Sequence, residues 1–497
     1  MKKIILAILI AVNSVCLFGQ QGVNNNWIMG YDSEWGLPFG ISKLNFYNGA
    51  PSVLYDSLGM ELAHTHANIS DSAGNILFYT NGYYIADATN DTMDNGDSIN
   101  PGAYANFVPD GFLIPQAALI IPKPGSSAVF YLFHNTADAY PIIPNNSTSY
   151  KFYVSTIDMS LNGGLGSVIS KNQVLINDSM NVGKISACKH GNGRDWWIVI
   201  HRVNSNKFIK FLVTPYGING PYFQNIGSYR MDDAGQAKFS PDGTRYAYFH
   251  YRSNSDLDVF DFDRCTGTLS NWRNDTLPFE FGNVGCAFSS NSQMMYVGNI
   301  LNIYQYDLSI NNLLATRNIV AVWDSFKEGG SLGTYLCLPE LAPDGKIYLT
   351  TGNGTHYMHV INNPDVYGMG CNVAQHSLLL PAYYFNTLPN HPNYFLGPAP
   401  GNPCNNLGIP PAPYEGVKKI QVFGNPTNDK FTLWFPPDKD VGVLEIYDVN
   451  GECIRTERVS QWSQYKTVDI GEFGAGVYFC RMRWPDGEGS VKVVRLE

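Results

Sequence analysis

Ala237-Lys238-Phe239-Ser240-Pro241-Asp242-Gly243, running into Thr244-Arg245-Tyr246-Ala247-Tyr248-Phe249, decides the fold of this chain. A short, largely apolar run meets a Pro-Asp-Gly turn, where proline presets φ and glycine supplies the positive φ of a tight reversal. The second run is rich in aromatic residues, which suit a pleated surface. Two strands and a tight turn make a hairpin. The unit returns as Ala287-Phe288-Ser289-Ser290-Asn291-Ser292 before Met294-Met295-Tyr296-Val297, and as Glu340-Leu341-Ala342-Pro343-Asp344-Gly345 before Lys346-Ile347-Tyr348-Leu349.

Looser copies lie upstream, turning at Gly74, Gly125 and Gly193, so that the turn positions 74, 125, 193, 243, 292 and 345 recur about every 50 residues. A third apolar run follows several hairpins, as at 257–262, 303–307 and 358–361. A period near 50 with about four strands is the mark of a β-propeller blade, and helical periodicity is nowhere sustained. Six copies predict six blades. Three further strands at 27–31, 41–46 and 52–55 lack an inner partner, and residues 393–396 are expected to supply it. The expectation is an all-β, seven-bladed propeller over 20–397, its ring closed by joining both ends in one blade.

Composition agrees. Of 497 residues, 13% are aromatic and only 15% charged, with 48 glycines. A net charge of −10 and no basic stripe exclude a phosphate-tracking nucleic-acid binder. Lys2 and Lys3 ahead of an apolar run at 4–12 predict a signal peptide over 1–19, too short to be a transmembrane anchor. Cys16 leaves a lipoprotein as the alternative, with a poor lipobox before it. Residues 398–416 form a Pro-rich linker. Beyond it, 23 of the 81 residues at 417–497 are charged, against 49 of the 397 at 20–416, so a differently built domain follows. That tail is expected to be a small β-sandwich, with Asn450-Gly451 as a hairpin turn. None of the eight cysteines after Cys16 forms a C-x-x-C pair, which argues against zinc. Cys453 with Cys480 is the preferred disulfide, and buried free thiols are the alternative.

Asn425-Pro426-Thr427, then Ile446-Tyr447-Asp448-Val449-Asn450-Gly451, then Gly476-Val477-Tyr478-Phe479, then a terminal Val491-Lys492-Val493-Val494-Arg495 stand in one order at the C-terminal end. This tail resembles the type A C-terminal sorting domain of the type IX (Por) secretion system of Bacteroidetes. Gly424 stands where the family usually has a first proline. The resemblance implies the type IX machinery as a partner, passage across the outer membrane, and a secreted or outer-surface location after the tag is cleaved. The segment Lys189-His190-Gly191-Asn192-Gly193-Arg194-Asp195-Trp196-Trp197 and Phe262-Asp263-Arg264-Cys265-Thr266-Gly267 also resemble exported Bacteroidetes propellers, a likeness that brings no activity with it.

Catalytic motifs are weak. Gly329-Gly330-Ser331-Leu332-Gly333 fits G-x-S-x-G but lacks the strand-turn-helix setting of a nucleophile elbow, and no catalytic residue is assigned. Asp91, Asp94 and Asp97 in an acidic loop are weak Ca²⁺ candidates without a distal bidentate glutamate, and no other cofactor is expected. His134, His201 and His250 each end the second strand of a hairpin, with Asn81 and Asn353 near the same place in other units. Such positions could converge on a ligand, or each could simply cap its own sheet. The resulting expectation is a binding or scaffold module at the cell surface, meeting a polysaccharide or an envelope protein. The alternative is a glycan-directed hydrolase or lyase with carboxylates in the channel.

Overall fold

All six hairpins read from the sequence are hairpins in the computed structural model. It describes residues 22–496 except 48–49, 109, 139–147, 232–234, 251–254, 279–283, 401–403, 405–417, 419, 436–439, 461–462, 464 and 486. The signal-peptide segment and most of the linker therefore lie outside the described residues. In the founding unit, Ala237–Phe239 pairs antiparallel with Arg245–His250, and the sheet goes on through Ser255–Asp263 to Thr268–Leu277. The turn glycines 74, 125, 193, 243 and 345 all have φ between 71° and 84°, and Ser292 takes their place with φ 63°. Ser292 is steadied there: its Oγ accepts from Asp242 N at 3.1 Å.

The chain is all-β, and the described helices are one-turn segments such as Ala103–Phe107 and Leu313–Thr316. No described helix is long and apolar enough to cross a membrane. The chain divides into two compact units, at 1–407 and 408–497.

In the first unit, successive antiparallel sheets begin with Asn26–Tyr31, Ala67–Ser70, Ala118–Pro122, Ser186–Lys189, Ala237–Phe239, Gly285–Phe288 and Pro339–Leu341. Each packs on the next through large side chains. Phe78 meets Phe130, Phe152 meets Phe211, and Phe208 meets Phe260, at ring-centroid distances of 5.3–5.7 Å. Leu257 and Val259 share a core with Cys286 and Met295, as Tyr296 and Ile303 do with Ile347 and Leu349. Ile28 and Ile41 pack with Tyr79, while Trp27 reaches Tyr348 of the last sheet at 5.8 Å. The succession therefore returns to its start. Each such buried side chain contributes about 1.5–3 kcal/mol.

Closure differs from the sequence expectation. The first sheet stays three-stranded, with a single bridge at Gly30 and Leu62, and residues 393–396 join no sheet. Leu388-Pro389-Asn390-His391-Pro392 explains why. Pro389 and Pro392 remove ladder donors from the residues that lead into 393–396, so no strand runs into it. The stretch bonds through side chains instead. Asn390 Nδ2 donates to Ala118 O and Ile185 O at 3.0 and 2.8 Å, Asn393 Nδ2 to Pro241 O at 2.7 Å, and Tyr394 OH to Ile120 O at 2.8 Å. One stretch of chain thus stitches the first strands of three sheets.

The disulfide also differs. Cys265 and Cys404 are joined, with Cα atoms 5.1 Å apart, while Cys453 and Cys480 are free. Cys480 sits in the core of the second unit, while Cys453 is exposed on an edge strand with one further strand between the two, so they cannot meet.

The second unit has a sheet of Gln421–Phe423, Lys430–Trp434 and Tyr465–Asp469, and another of Cys453–Val459, Gly442–Tyr447, Gly476–Trp484 and Gly487–Arg495. Phe431, Leu433 and Val468 of one and Leu444, Ile446, Tyr478 and Met482 of the other form a single core.

Candidate functional site

Where the first strands of the last three sheets meet the 391–393 segment, a half-open cavity of about 200 Å³ remains. Lys238 and Glu340 come to it from sheets that flank the sheet of Ala287, whose small side chain leaves the space between them. Lys238 Nζ lies 2.5 Å from Glu340 Oε2, with side chains only 12% and 8% exposed. Burial pushes the Glu340 carboxyl above its ordinary range, and Lys238 pulls part of that back. Asn24 Oδ1, by contrast, has no hydrogen-bond partner among the described residues. His391, half-buried beside them, donates from Nε2 to Asn68 O at 3.0 Å, and desolvation of its ring pushes its pKa down to about 3. Trp27, Phe239, Phe288 and Leu341 supply apolar walls.

Other polar atoms nearby are buried without partners among the described residues. They include both ring nitrogens of His66, Asn68 Oδ1 and Ser186 Oγ, all on or next to first strands. Buried polar groups are nearly always satisfied, so this region calls for water or a ligand.

The sequence-selected histidines stand elsewhere. They end second strands, next to where first strands begin, whereas the cavity lies where first strands end: Tyr248 pairs with Ala237 and Tyr246 with Phe239. His134 bonds Asn100 Oδ1 at 2.7 Å and Ser155 Oγ at 2.9 Å, and burial lowers its pKa to about 3. His201 packs edge-on to Phe208 and against Tyr248, and it feels the charges of Lys184, Arg230 and His250. His250 is buried. Asn81 Nδ2 donates to Glu61 O and Asp110 O, and Asn353 Nδ2 to Gly333 O.

The Ca²⁺ candidates are turned to separate partners. Asp94 accepts from Ser167 Oγ at 2.7 Å, Asp97 pairs with Lys171 at 3.0 Å, and the Asp91 carbonyl accepts from Asp87 N. Among the described residues, the carboxylates that do gather are Asp32, Glu34 and Glu61, with oxygens within 4.8 Å of one another. Burial, and then Asp32, raise the Glu61 pKa to about 7. Neither this cluster nor the Lys238–Glu340 pair leaves a complete local sequence signal: Glu61 reaches Asp32 and Glu34 next to the Gly30–Leu62 bridge, and Lys238 and Glu340 come from different sheets.

In the second unit the motif residues hold turns and an edge. Asn425 Nδ2 donates to Lys492 O at 3.0 Å while its Oδ1 accepts from Val494 N at 2.8 Å, and Thr427 N donates to Val494 O. Pro426 lies between them. Asp448 Oδ1 accepts from Asn450 N and Glu452 N, and Gly451 takes φ 82° to complete that turn. Tyr478 OH donates to Gly474 O at 2.6 Å, fixing the entry to the strand that Gly476 begins.

Residues 421–495 match the family model described as a secretion system C-terminal sorting domain. The chain is therefore a cargo of type IX secretion, exported to the cell surface or extracellular space through that domain. No curated protein sequence matches it significantly. Among solved structures, it is similar to a candidate 6-phosphogluconolactonase from Bacteroides uniformis, at 10% identity and a TM-score of 0.42, covering 73% of this chain and 98% of that one. It is also similar to a protein of unknown function from Desulfotomaculum acetoxidans, at 12% identity and a TM-score of 0.39, covering 74% and 99%.

Proposed function

We propose that this protein is a seven-bladed β-propeller that works as a binding module outside the cell, followed by a β-sandwich sorting domain. A signal peptide at 1–19 would take it to the periplasm, and the 398–416 linker would let the tag be removed without disturbing the ring. The ligand site we assign is the cavity beside Lys238, Glu340 and His391. What carries this reading is the buried ion pair facing open space. Such groups are costly to desolvate, and a fold that needed only stability would do as well with apolar residues there.

The hydrolase alternative finds less support. Glycoside hydrolysis calls for two facing carboxyls, and this cavity offers one, already paired with a lysine. The test is a binding screen of the purified secreted protein against surface glycans and envelope proteins, beside Asn24→Trp, which narrows the cavity mouth from a partly exposed position. Saturable binding lost in that variant is expected. Binding that survives it unchanged, or turnover of a glycan by the wild type, would overturn the proposal.

A further inference from the structure

We infer that the cavity takes a neutral polyhydroxylated ring, one hexose-sized unit, held by hydroxyl hydrogen bonds to Lys238, Glu340 and Asn24. This deepens the binding-module reading and rests on it.

Size sets the first limit. At about 30 Å³ for each water in the liquid, the roughly 200 Å³ present would hold about seven waters. That is room for a single sugar ring and too little for two. Wall chemistry sets the second. Trp27, Phe239, Phe288 and Leu341 offer apolar surface, while Lys238 offers N–H donors beyond the one facing Glu340, the Glu340 carboxylate can accept more than that one bond, and Asn24 Oδ1 is an acceptor that no described residue satisfies. An all-apolar ligand would leave Asn24 Oδ1 stranded and would cover the ion pair without bonding to it, and burying unpaired polar atoms is penalised. A ligand polar on every side would waste the aromatic walls.

Charge sets the third. Lys238 and Glu340 already neutralise each other at 2.5 Å. A zwitterion would have to break that pair to find partners, bringing two further charges out of water. A phosphate ester would meet one lysine with a carboxylate beside it, since desolvation of its ring keeps His391 neutral. Hydroxyls avoid both penalties, because each can donate to a carboxylate and accept from an ammonium at once. Aromatic walls and a mouth open on one side fit the C–H edges of such a ring as it enters.

The same ring could arrive as a free hexose or as the terminal unit of a surface glycan. Titration of the full secreted protein would follow Trp fluorescence, which Trp27 makes responsive to this site, and calorimetric heat. The panel contains free neutral hexoses, their methyl glycosides, hexose phosphates and free amino acids. At least one neutral hexose or methyl glycoside should bind saturably. Glu340→Gln should weaken it at least tenfold, and Asn24→Trp should abolish it with the thermal midpoint little changed. If loss of the pair proves to unfold the ring, the double replacement Lys238→Met with Glu340→Leu, which keeps packing without charge, should fold and not bind. Equal binding of hexose and methyl glycoside assigns the source to a glycan end, and binding of the free sugar alone to a solute. If amino acids or phosphates bind and Asn24→Trp blocks them while neutral sugars fail, the ligand class is wrong and the site stands. If no class binds, the inference falls.

Discussion

The ring and the C-terminal unit place their polar residues in opposite ways. In the ring, polar and ionisable groups are buried near the first strands: His66, Asn68, Lys238 and Glu340 are all largely out of water. All ten histidines of the chain lie between 64 and 391, and 417–497 contains none. In the C-terminal unit, the polar residues that matter sit at turns and edges, as Asn425, Asp448 and Thr427 do, above an apolar core. Turn and edge residues specify a fold that machinery can recognise. Buried polar groups are expensive in a core and earn their place only by satisfying one another or something that binds.

The largest expected break in that comparison is removal of the last strand, Gly487–Arg495. It pairs along the whole of Gly476–Trp484 and also receives Asn425 and Thr427. Without it the second unit loses the face of its core that Val493 covers, and export should fail outright. Cell fractionation should find the truncated chain in the periplasm with its ring folded. A surface-exposed truncated chain would contradict the assignment of that unit as the sorting signal.

Acid should separate the units next. His134, His201 and His391 have folded-state pKa values pushed down to about 3 by burial, against 6.5 when exposed. The folded ring holds them neutral while the unfolded chain takes up protons below 6.5. Their contribution is therefore intact above pH 6.5 and is lost as pH falls toward 3. At pH 5.5 each costs about 1.4 kcal/mol, so the three together cost about 4 kcal/mol. Thermal unfolding at pH 7.5 and 5.5 should show the ring's midpoint dropping while that of the histidine-free unit holds. Equal shifts would refute the burial argument.

Reductant should do the same on a smaller scale. The ring carries Cys265–Cys404, which closes a long loop, and both cysteines of the C-terminal unit are free thiols. Cys404→Ser should lower ring stability by about 2–4 kcal/mol and make its unfolding indifferent to dithiothreitol. The other unit should respond to neither change.

The same division governs what could be seen in the sequence. Hairpins such as Ala237–Phe239 with Arg245–His250 were legible because strand, turn and strand are adjacent, and a Pro-Asp-Gly turn has few other uses. The sorting motifs were legible because they are local turns in a fixed order. Closure was not, because the expected strand at 393–396 follows Pro389 and Pro392 and binds through the Asn393 and Tyr394 side chains instead of a ladder. Pairing of Cys265 with Cys404 depends on where that segment ends, 139 residues away in sequence. The cavity was least legible. Lys238 and Glu340 sit at ordinary strand positions, and only curvature of the whole succession of sheets brings them together. Histidines drew attention by recurring at equivalent places, yet His134 is fully tied to Asn100 and Ser155 within its surroundings.

Asn425→Ala gives the smallest effect and the finest test. Asn425 joins the final strand as a backbone would, donating to Lys492 O and accepting from Val494 N. Both bonds are exposed, so their loss should cost about 1–2 kcal/mol of the C-terminal unit's stability and nothing of the ring's. Amide exchange at Val494 should quicken in the variant, because that N–H loses its acceptor. Asn425→Asp keeps the acceptor and loses the donor, so it should restore protection at Val494 while leaving Lys492 O unpaired. If the alanine variant exchanges like the wild type, the motif residue is not what pins the last strand. Its recurrence would then have to be explained by direct recognition in export instead of by the fold.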